Sequence, residues 1–219
     1  MIPLDPDRTL ALAYVPARRH AAVAALWRLD AALSSVLSTG REPLISRIRL
    51  AWWREALEKL DAAPAPAEPV LQALAAHVLP AGVSGGELAA MEAGWAVLLS
   101  PDPLGPSDLA LYASARGGLL FRHTARLLGE AAPSAAVEAG GAAWALVDLA
   151  RHSASEADCE AAVAAARALQ PWRWPSRLRP LGMLVALARR DAEPDGPRWE
   201  PQGAPRRMLR MLGHRLTGK

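Results

Sequence analysis

Cysteine and lysine are scarce in this chain of 219 residues. Cysteine occurs once, at Cys159, which excludes an internal disulfide and a cysteine-based metal cluster. Lysine occurs only at Lys59 and Lys219, so arginine supplies nearly all of the positive charge. The formal net charge is only +3, which does not require a nucleic-acid partner, and we expect none.

Long apolar runs are missing as well. No stretch approaches the roughly 18 uninterrupted apolar residues of a membrane span, and the longest apolar region, 131–150, contains Glu138 and Asp148. The first residues, MIPLDPDR, carry acids and prolines where a signal peptide has basic residues and then an apolar block. We therefore expect a cytoplasmic protein, peripheral to the inner membrane if its basic end binds lipid.

The alternating pattern of β-strands is also absent, and nearly every segment shows the three- and four-residue apolar spacing of a helix. This spacing predicts an all-α protein: a single-domain helical bundle over residues 1–203 and a basic amphipathic segment over 204–219. After a short helix that starts at Asp5–Pro6 and ends before Pro16, the predicted helices are 16–38, 43–61, 69–79, 84–100, 107–128, 134–152, 155–169 and 176–191.

Large apolar side chains on the helix faces predict the core. The clearest helix, 43–61, has four of them in phase: Leu44, Ile48, Trp52 and Leu60. Four tryptophans lie on otherwise apolar faces: Trp27, Trp52, Trp95 and Trp144. We expect these rings in the core, although converging rings can also line an elongated apolar pocket.

One series of residues has the spacing of a metal site, with each member four positions after the last: Asp148, His152, Glu156 and Glu160. On a continuous helix they would form one stripe. However, Ser153 and Ser155 interrupt the series and each precedes an acid by three residues, which favours the start of a new helix. The histidines share no ligand spacing, so we expect no zinc site.

Two adjacent glycines, Gly117 and Gly118, interrupt an otherwise strong helix. Each costs about 1 kcal/mol relative to alanine in a helix. Such a cost favours close packing of two helices at this point, or alternatively a ligand pressed against the backbone.

Three blocks together resemble the squalene and phytoene synthase family: ALWRLDAALSSVL at 25–37, LAWWREAL at 50–57 and LALYASARGGLLFRHTARLLG at 109–129. The resemblance covers about residues 10–155. It implies a bundle of the isoprenoid synthase type around a deep apolar cavity that receives two prenyl diphosphates. Magnesium would bridge the diphosphates to aspartate-rich motifs on two facing helices.

The positions that match these motifs have changed. The two aspartates of the first motif fall on Ser34 and Ser38, and Asp30 lies one turn earlier. The second motif falls on His152 and Glu156. Because magnesium is held mainly through carboxylates, serines and a histidine remove most of its ligands.

Three further positions are transferred from the family. Arg151 matches a family arginine, Glu92 lies near a family acid, and Arg116 replaces a small hydroxyl residue before the retained glycine. With the motif positions and Asp30, these are the substrate-binding candidates. We assign no catalytic residue, no metal ligand and no cofactor.

A degenerate branch of the family, which includes the assembly factor of respiratory complex I, has also lost these aspartates. In this respect the sequence resembles that branch. The resemblance implies a protein without catalysis that binds a prenyl compound or other lipid, or acts as a scaffold for a respiratory assembly partner. The alternative is an active prenyl transferase that uses Mg²⁺ with the residual acids Asp30, Glu92, Asp148 and Glu156. The basic tail would bind a membrane surface or dock on its own bundle.

Overall fold

The computed structural model describes residues 3–40, 42–100, 102–169, 173–193 and 199–218. These residues form helices and no strand, which confirms the all-α prediction. The α-helices are α1 (Pro6–Ala13), α2 (Ala17–Thr39), α3 (Pro43–Lys59), α4 (Pro69–His77), α5 (Gly85–Ala89), α6 (Glu92–Ala96), α7 (Pro106–Tyr112), α8 (Leu119–Leu127), α9 (Ala135–His152), α10 (Glu156–Arg167), α11 (Arg179–Ala192) and α12 (Pro205–Thr217).

Local signals set most helix ends. The Asp5 side chain accepts from the backbone N–H of Arg8 at 2.9 Å and begins α1. Ser84 and Glu87 form the expected capping box of α5. The predicted helix 84–100 was wrong as one element, because Met91 N–H bonds to the carbonyl of Leu88, three residues back, and the chain turns between α5 and α6.

Helices α7 and α8 are joined by a π-helical segment, Ala113–Gly118, and form one continuous helical path. Here α9 crosses so closely that a Cβ atom built on Gly117 would lie 2.1 Å from the carbonyl oxygen of Gly141. Only glycine permits this approach of two backbones. Close helix packing therefore explains Gly117, as the sequence predicts.

The central helix of the bundle is α2. Its apolar face is buried, and Trp27 Nε1 donates to Thr124 Oγ1 of α8 at 3.0 Å. By length and hydropathy α2 could cross a membrane, but 67% of its apolar 18-residue stretch is buried inside the protein. Core helices of folded domains pass the same test, so this composition is weak evidence for a span.

Helix α3 corrects the predicted core. Three side chains of the predicted stripe are exposed: Leu44 by 67%, Ile48 by 59% and Trp52 by 47%. The helix packs instead through Leu50, Trp53 and Leu57, which share another face at three- and four-residue spacing. Large apolar side chains thus lie on two faces of α3, so the apolar periodicity alone cannot tell which face packs against the bundle.

The last helix, α12, packs on α1 and α11. Its Arg207 side chain is buried and forms ion pairs with Asp7 of α1 at 2.9 Å and Asp191 of α11 at 2.6 Å. The opposite side of the helix exposes Leu209 by 68% and Leu216 by 77%. The C-terminal segment thus docks through one face and leaves an apolar face outside.

Candidate functional site

The single acid of α2, Asp30, lies at the centre of the candidate site. Its side chain is 0% exposed. Nε of Arg116 donates to Asp30 Oδ1 at 3.0 Å, and Nη2 of Arg116 and Nη1 of Arg8 donate to Oδ2 at 3.2 and 2.8 Å. A buried carboxylate needs such partners, because an unpaired charge is strongly unfavourable inside a protein.

Arg116 binds a second carboxylate from the facing helix. Its Nη1 lies 2.7 Å from Oδ2 of Asp148 on α9 and also donates to the hydroxyl of Tyr112. The guanidinium carbon lies 4.2 Å from the ring centroid of Trp95 and 4.8 Å from that of Trp144, which places a cation against two aromatic faces. One arginine thus joins α2 to α9 inside the bundle.

Charge complementarity fixes the ionisation of these groups. Burial alone would lower the pKa of Arg116, yet Asp30 and its other neighbours raise that pKa above its ordinary value. Burial would likewise lower the pKa of Arg8, but Asp30 raises it above its ordinary value. Burial would raise the pKa of Asp148, but Arg116, His152 and Arg8 lower it. All three groups are therefore charged near neutral pH.

These residues form an ion-pair cluster, defined here as Asp5, Arg8, Asp30, Arg116 and Asp148. The cluster holds three carboxylates and two guanidinium groups. Its formal charge is therefore negative even with both arginines protonated. His152, exposed by 63%, lies 3.5 Å from Asp148 at its edge.

A cavity of about 390 Å³ opens beside the cluster. Its polar wall includes Ser34, Ser38, His152 and Gln202, beside the cluster members Asp5, Arg8, Arg116 and Asp148. Its less polar wall consists of Leu37, Trp95, Leu98, Tyr112 and Leu149. This volume lies near the lower end of the 300–1,000 Å³ that small-molecule sites occupy.

The structure brings together five of the eight candidate residues. Ser34, Ser38, Arg116 and His152 line the cavity, and Asp30 lies behind Arg116 in the cluster. The two serines from the positions of the first motif and the histidine from the second thus face one space.

The other three candidates do not line this cavity. Glu92 is half-buried near Arg54, and burial raises its pKa. Arg151 turns to Asp191, with its Nη2 2.7 Å from Oδ2 of that side chain. Glu156 is exposed at the first position of α10.

The possible metal stripe is divided between two helices. Helix α9 ends at His152, and α10 begins at Glu156 after Ser155, whose side chain accepts from the backbone N–H of Asp158 at 3.2 Å. This is the helix start that the serines favoured. Asp148 and Glu156 are consequently not on one continuous helix face.

The sequence interpretation missed Arg8, Tyr112 and Gln202. A signal for Arg8 existed, since Asp30 is a lone acid on an apolar face and such a group needs a cation. The sequence could not show which arginine supplies it, because Arg8 lies on α1 and Arg116 lies 86 positions after Asp30.

The donor set does not fit the magnesium cluster that the resemblance implies. In the described parts of the chain no group of three or more His, Cys, Asp or Glu side chains could hold a metal ion. The two acids that line the cavity, Asp5 and Asp148, bind Arg8 and Arg116, and the nearby Asp30 binds both arginines. Magnesium held through these carboxylates would compete with the guanidinium groups for the same oxygens.

Comparison with known proteins supports the resemblance. The profile of the squalene/phytoene synthase family matches residues 4–173, which is more than half of the chain. Neither the curated proteins nor the solved structures gave a match. The matched region includes α1 to α10 and thus the whole ion-pair cluster. The chain belongs to the squalene/phytoene synthase family.

Proposed function

We propose that this protein is a family member without prenyl transferase activity, which binds a prenyl compound or other lipid or acts as an assembly scaffold. One observation carries the proposal: Arg116 lies between Asp30 and Asp148 and binds both carboxylates. The side chains that face the cavity from the motif positions are Ser34, Ser38 and His152, which bring no carboxylate to it.

The chemistry of the family explains why this matters. Loss of diphosphate from an allylic carbon leaves several negative charges that must be stabilised as they develop, which bridging metal ions do. Here both arginines beside the cavity are already paired with carboxylates, and the cluster as a whole is negative. Such a site offers little stabilisation to a leaving diphosphate.

The test is incubation of the pure protein with farnesyl or geranylgeranyl diphosphate and Mg²⁺, with pyrophosphate release and thermal shift measured together. We expect no release above that of a heat-denatured control. Release at an enzymatic rate would establish the alternative, a prenyl transferase with a divergent Mg²⁺ site. A thermal shift without turnover supports binding of the prenyl compound, and no shift leaves binding of another lipid or the scaffold role with a respiratory assembly partner.

A second candidate function, binding to the cytoplasmic surface of the inner membrane, is favoured by α12. Its outer face exposes Leu209 and Leu216 beside the exposed arginines Arg206 and Arg210. Apolar side chains with flanking cations are typical of helices that lie in a membrane interface.

Co-sedimentation with anionic liposomes tests this function. The double substitution Leu209→Ser and Leu216→Ser removes the outer apolar face and leaves the docking contacts of Arg207 unchanged. The matched variant carries Leu44→Ser and Ile48→Ser on the exposed face of α3. If the α12 variant sediments like the unmodified protein, α12 is not the membrane contact.

A further inference from the structure

The cations beside the cavity are already used by the protein. Nε and Nη2 of Arg116 bond to Asp30, and its Nη1 contacts both Asp148 and Tyr112. Arg8 directs Nε to Asp5 and Nη1 to Asp30. An anionic ligand would therefore meet these arginines only together with the carboxylates that they neutralise.

Two uncharged hydroxyl groups form another part of the wall. Ser34 and Ser38 lie one helical turn apart on α2 and both line the cavity. No hydrogen bond joins the Ser34 hydroxyl to another group of the described residues. Hydroxyls in this position can exchange hydrogen bonds with a ligand hydroxyl or carbonyl without neutralising a charge.

The less polar side of the cavity suits a hydrocarbon chain. Leu37, Leu98 and Leu149 line it together with the ring of Trp95. The cavity volume of about 390 Å³ is that of a small single-ligand site and is modest for two long prenyl diphosphates bound side by side.

We infer that the cavity binds one uncharged amphiphile, a long-chain alcohol or carbonyl compound, in preference to a prenyl diphosphate. The chain lies against the leucines and Trp95, and the head group meets Ser34 and Ser38. A diphosphate is disfavoured because it would be brought next to Asp148 and Asp5 in a cluster whose formal charge is already negative. This inference rests on the proposed lipid-binding function and specifies the ligand class of the same site.

Farnesol and farnesyl diphosphate form the decisive pair of probes, because they share one chain and differ only in the head group. Titration calorimetry and tryptophan fluorescence measure both affinities at low ionic strength, without Mg²⁺ and then with it. We expect farnesol to bind at least tenfold more tightly than farnesyl diphosphate in both conditions. Equal or tighter binding of the diphosphate, or no binding of farnesol, overturns the inference.

A matched pair of variants locates the binding. Ser34→Phe places a ring in the cavity, whereas Ser35→Phe changes the neighbouring residue, which does not line it. We expect Ser34→Phe to weaken farnesol binding at least tenfold and Ser35→Phe to change it less than threefold. Circular dichroism and thermal unfolding show whether each variant is folded. If two folded variants bind farnesol equally well, the alcohol does not occupy this cavity.

The two proposals can fail separately. Farnesyl diphosphate binding that equals or exceeds farnesol binding, without pyrophosphate release, overturns the inferred ligand class and leaves the loss of catalysis in place. Pyrophosphate release overturns the loss of catalysis, whatever the affinity for farnesol.

Discussion

Nε of Arg116 and Oδ1 of Asp30 lie 3.0 Å apart in the interior of the bundle, although 86 positions separate the two residues in the chain. Arg116 has a side-chain exposure of 1% and Asp30 of 0%. The contact joins the central helix α2 to the π-helical segment and, through Asp148, to α9. The same arginine thus binds two acids from different helices and connects three parts of the fold.

Arg116→Ala should lower the free energy of unfolding by about 3–5 kcal/mol, because Asp148 loses its guanidinium partner and the buried Asp30 keeps only Arg8. Urea unfolding followed by circular dichroism measures the loss. Arg116→Lys should restore little of it, since an ammonium cannot make the same forked contacts. The control is Arg122→Ala, which breaks an exposed pair with Glu138 and should cost less than about 1 kcal/mol. Equal losses in the two alanine variants would contradict a structural role for the cluster.

Gly117→Ala should destabilise the bundle by about 1–3 kcal/mol or more, because the new methyl group would meet the backbone of Gly141 and not a movable side chain. Gly213→Ala is the matched control, since a Cβ atom at this helical glycine has nothing within 4 Å. That variant should gain about 0.5–1 kcal/mol. Thermal unfolding compares them, and a stabilised Gly117→Ala variant would show that α9 does not cross here as described.

Acid should weaken the fold through His123, a fully buried side chain of α8. Burial lowers the pKa of His123 from 6.5 to about 4, so the unfolded chain binds a proton between these pH values and the folded chain does not. Stability is consequently lost as the pH falls from about 6.5 to about 4, by about 3 kcal/mol for this one group.

The measurement for His123 is the difference between two pH profiles of unfolding free energy, those of the unmodified protein and of His123→Leu. The variant cannot take up this proton, so its profile should be flatter between pH 6.5 and 4. The comparison concerns the slope and not the absolute stability, which repacking also changes. Parallel profiles would show that His123 does not titrate in this range.

Arg207→Ala should release α12 from the bundle, because Asp7 loses its buried partner and Asp191 keeps only Arg151. Hydrogen exchange over residues 205–217 should become faster than in the unmodified protein. Arg210→Ala, on the exposed side of the same helix, should leave the exchange unchanged. If exchange in α12 stays slow in the Arg207 variant, the apolar contacts of Met211 are sufficient to dock it.

Most of the fold could be predicted because its signals are local. The helix that we predict over 134–152 is observed as Ala135–His152, and the cap of α10 at Ser155 is where the sequence places it. Caps and apolar spacing act within a few residues and can be read without tertiary structure. The orientation of α3 depends on its neighbours, so Trp52 was assigned to the core and is found at the surface.

The site was predicted less completely, because it consists of contacts between distant helices. Matching positions along the chain identified Ser34, Ser38 and His152, which do face one cavity. It could not show that Arg116 binds Asp30, nor that the end of α9 directs Glu156 away from that space. The residues at the motif positions can be identified from the sequence, whereas the partners of buried charges are set by the packing of the helices.

The pairing of Asp7 with Arg207 has a consequence for how this protein is made. The first helix carries Asp7, and its buried partner is synthesised 200 positions later. Until α12 has left the ribosome, Asp7 lacks the cation that compensates its burial, whereas Asp191 already has Arg151 as a partner. Earlier helices can assemble during translation, but we expect the closing step of folding to follow the synthesis of α12.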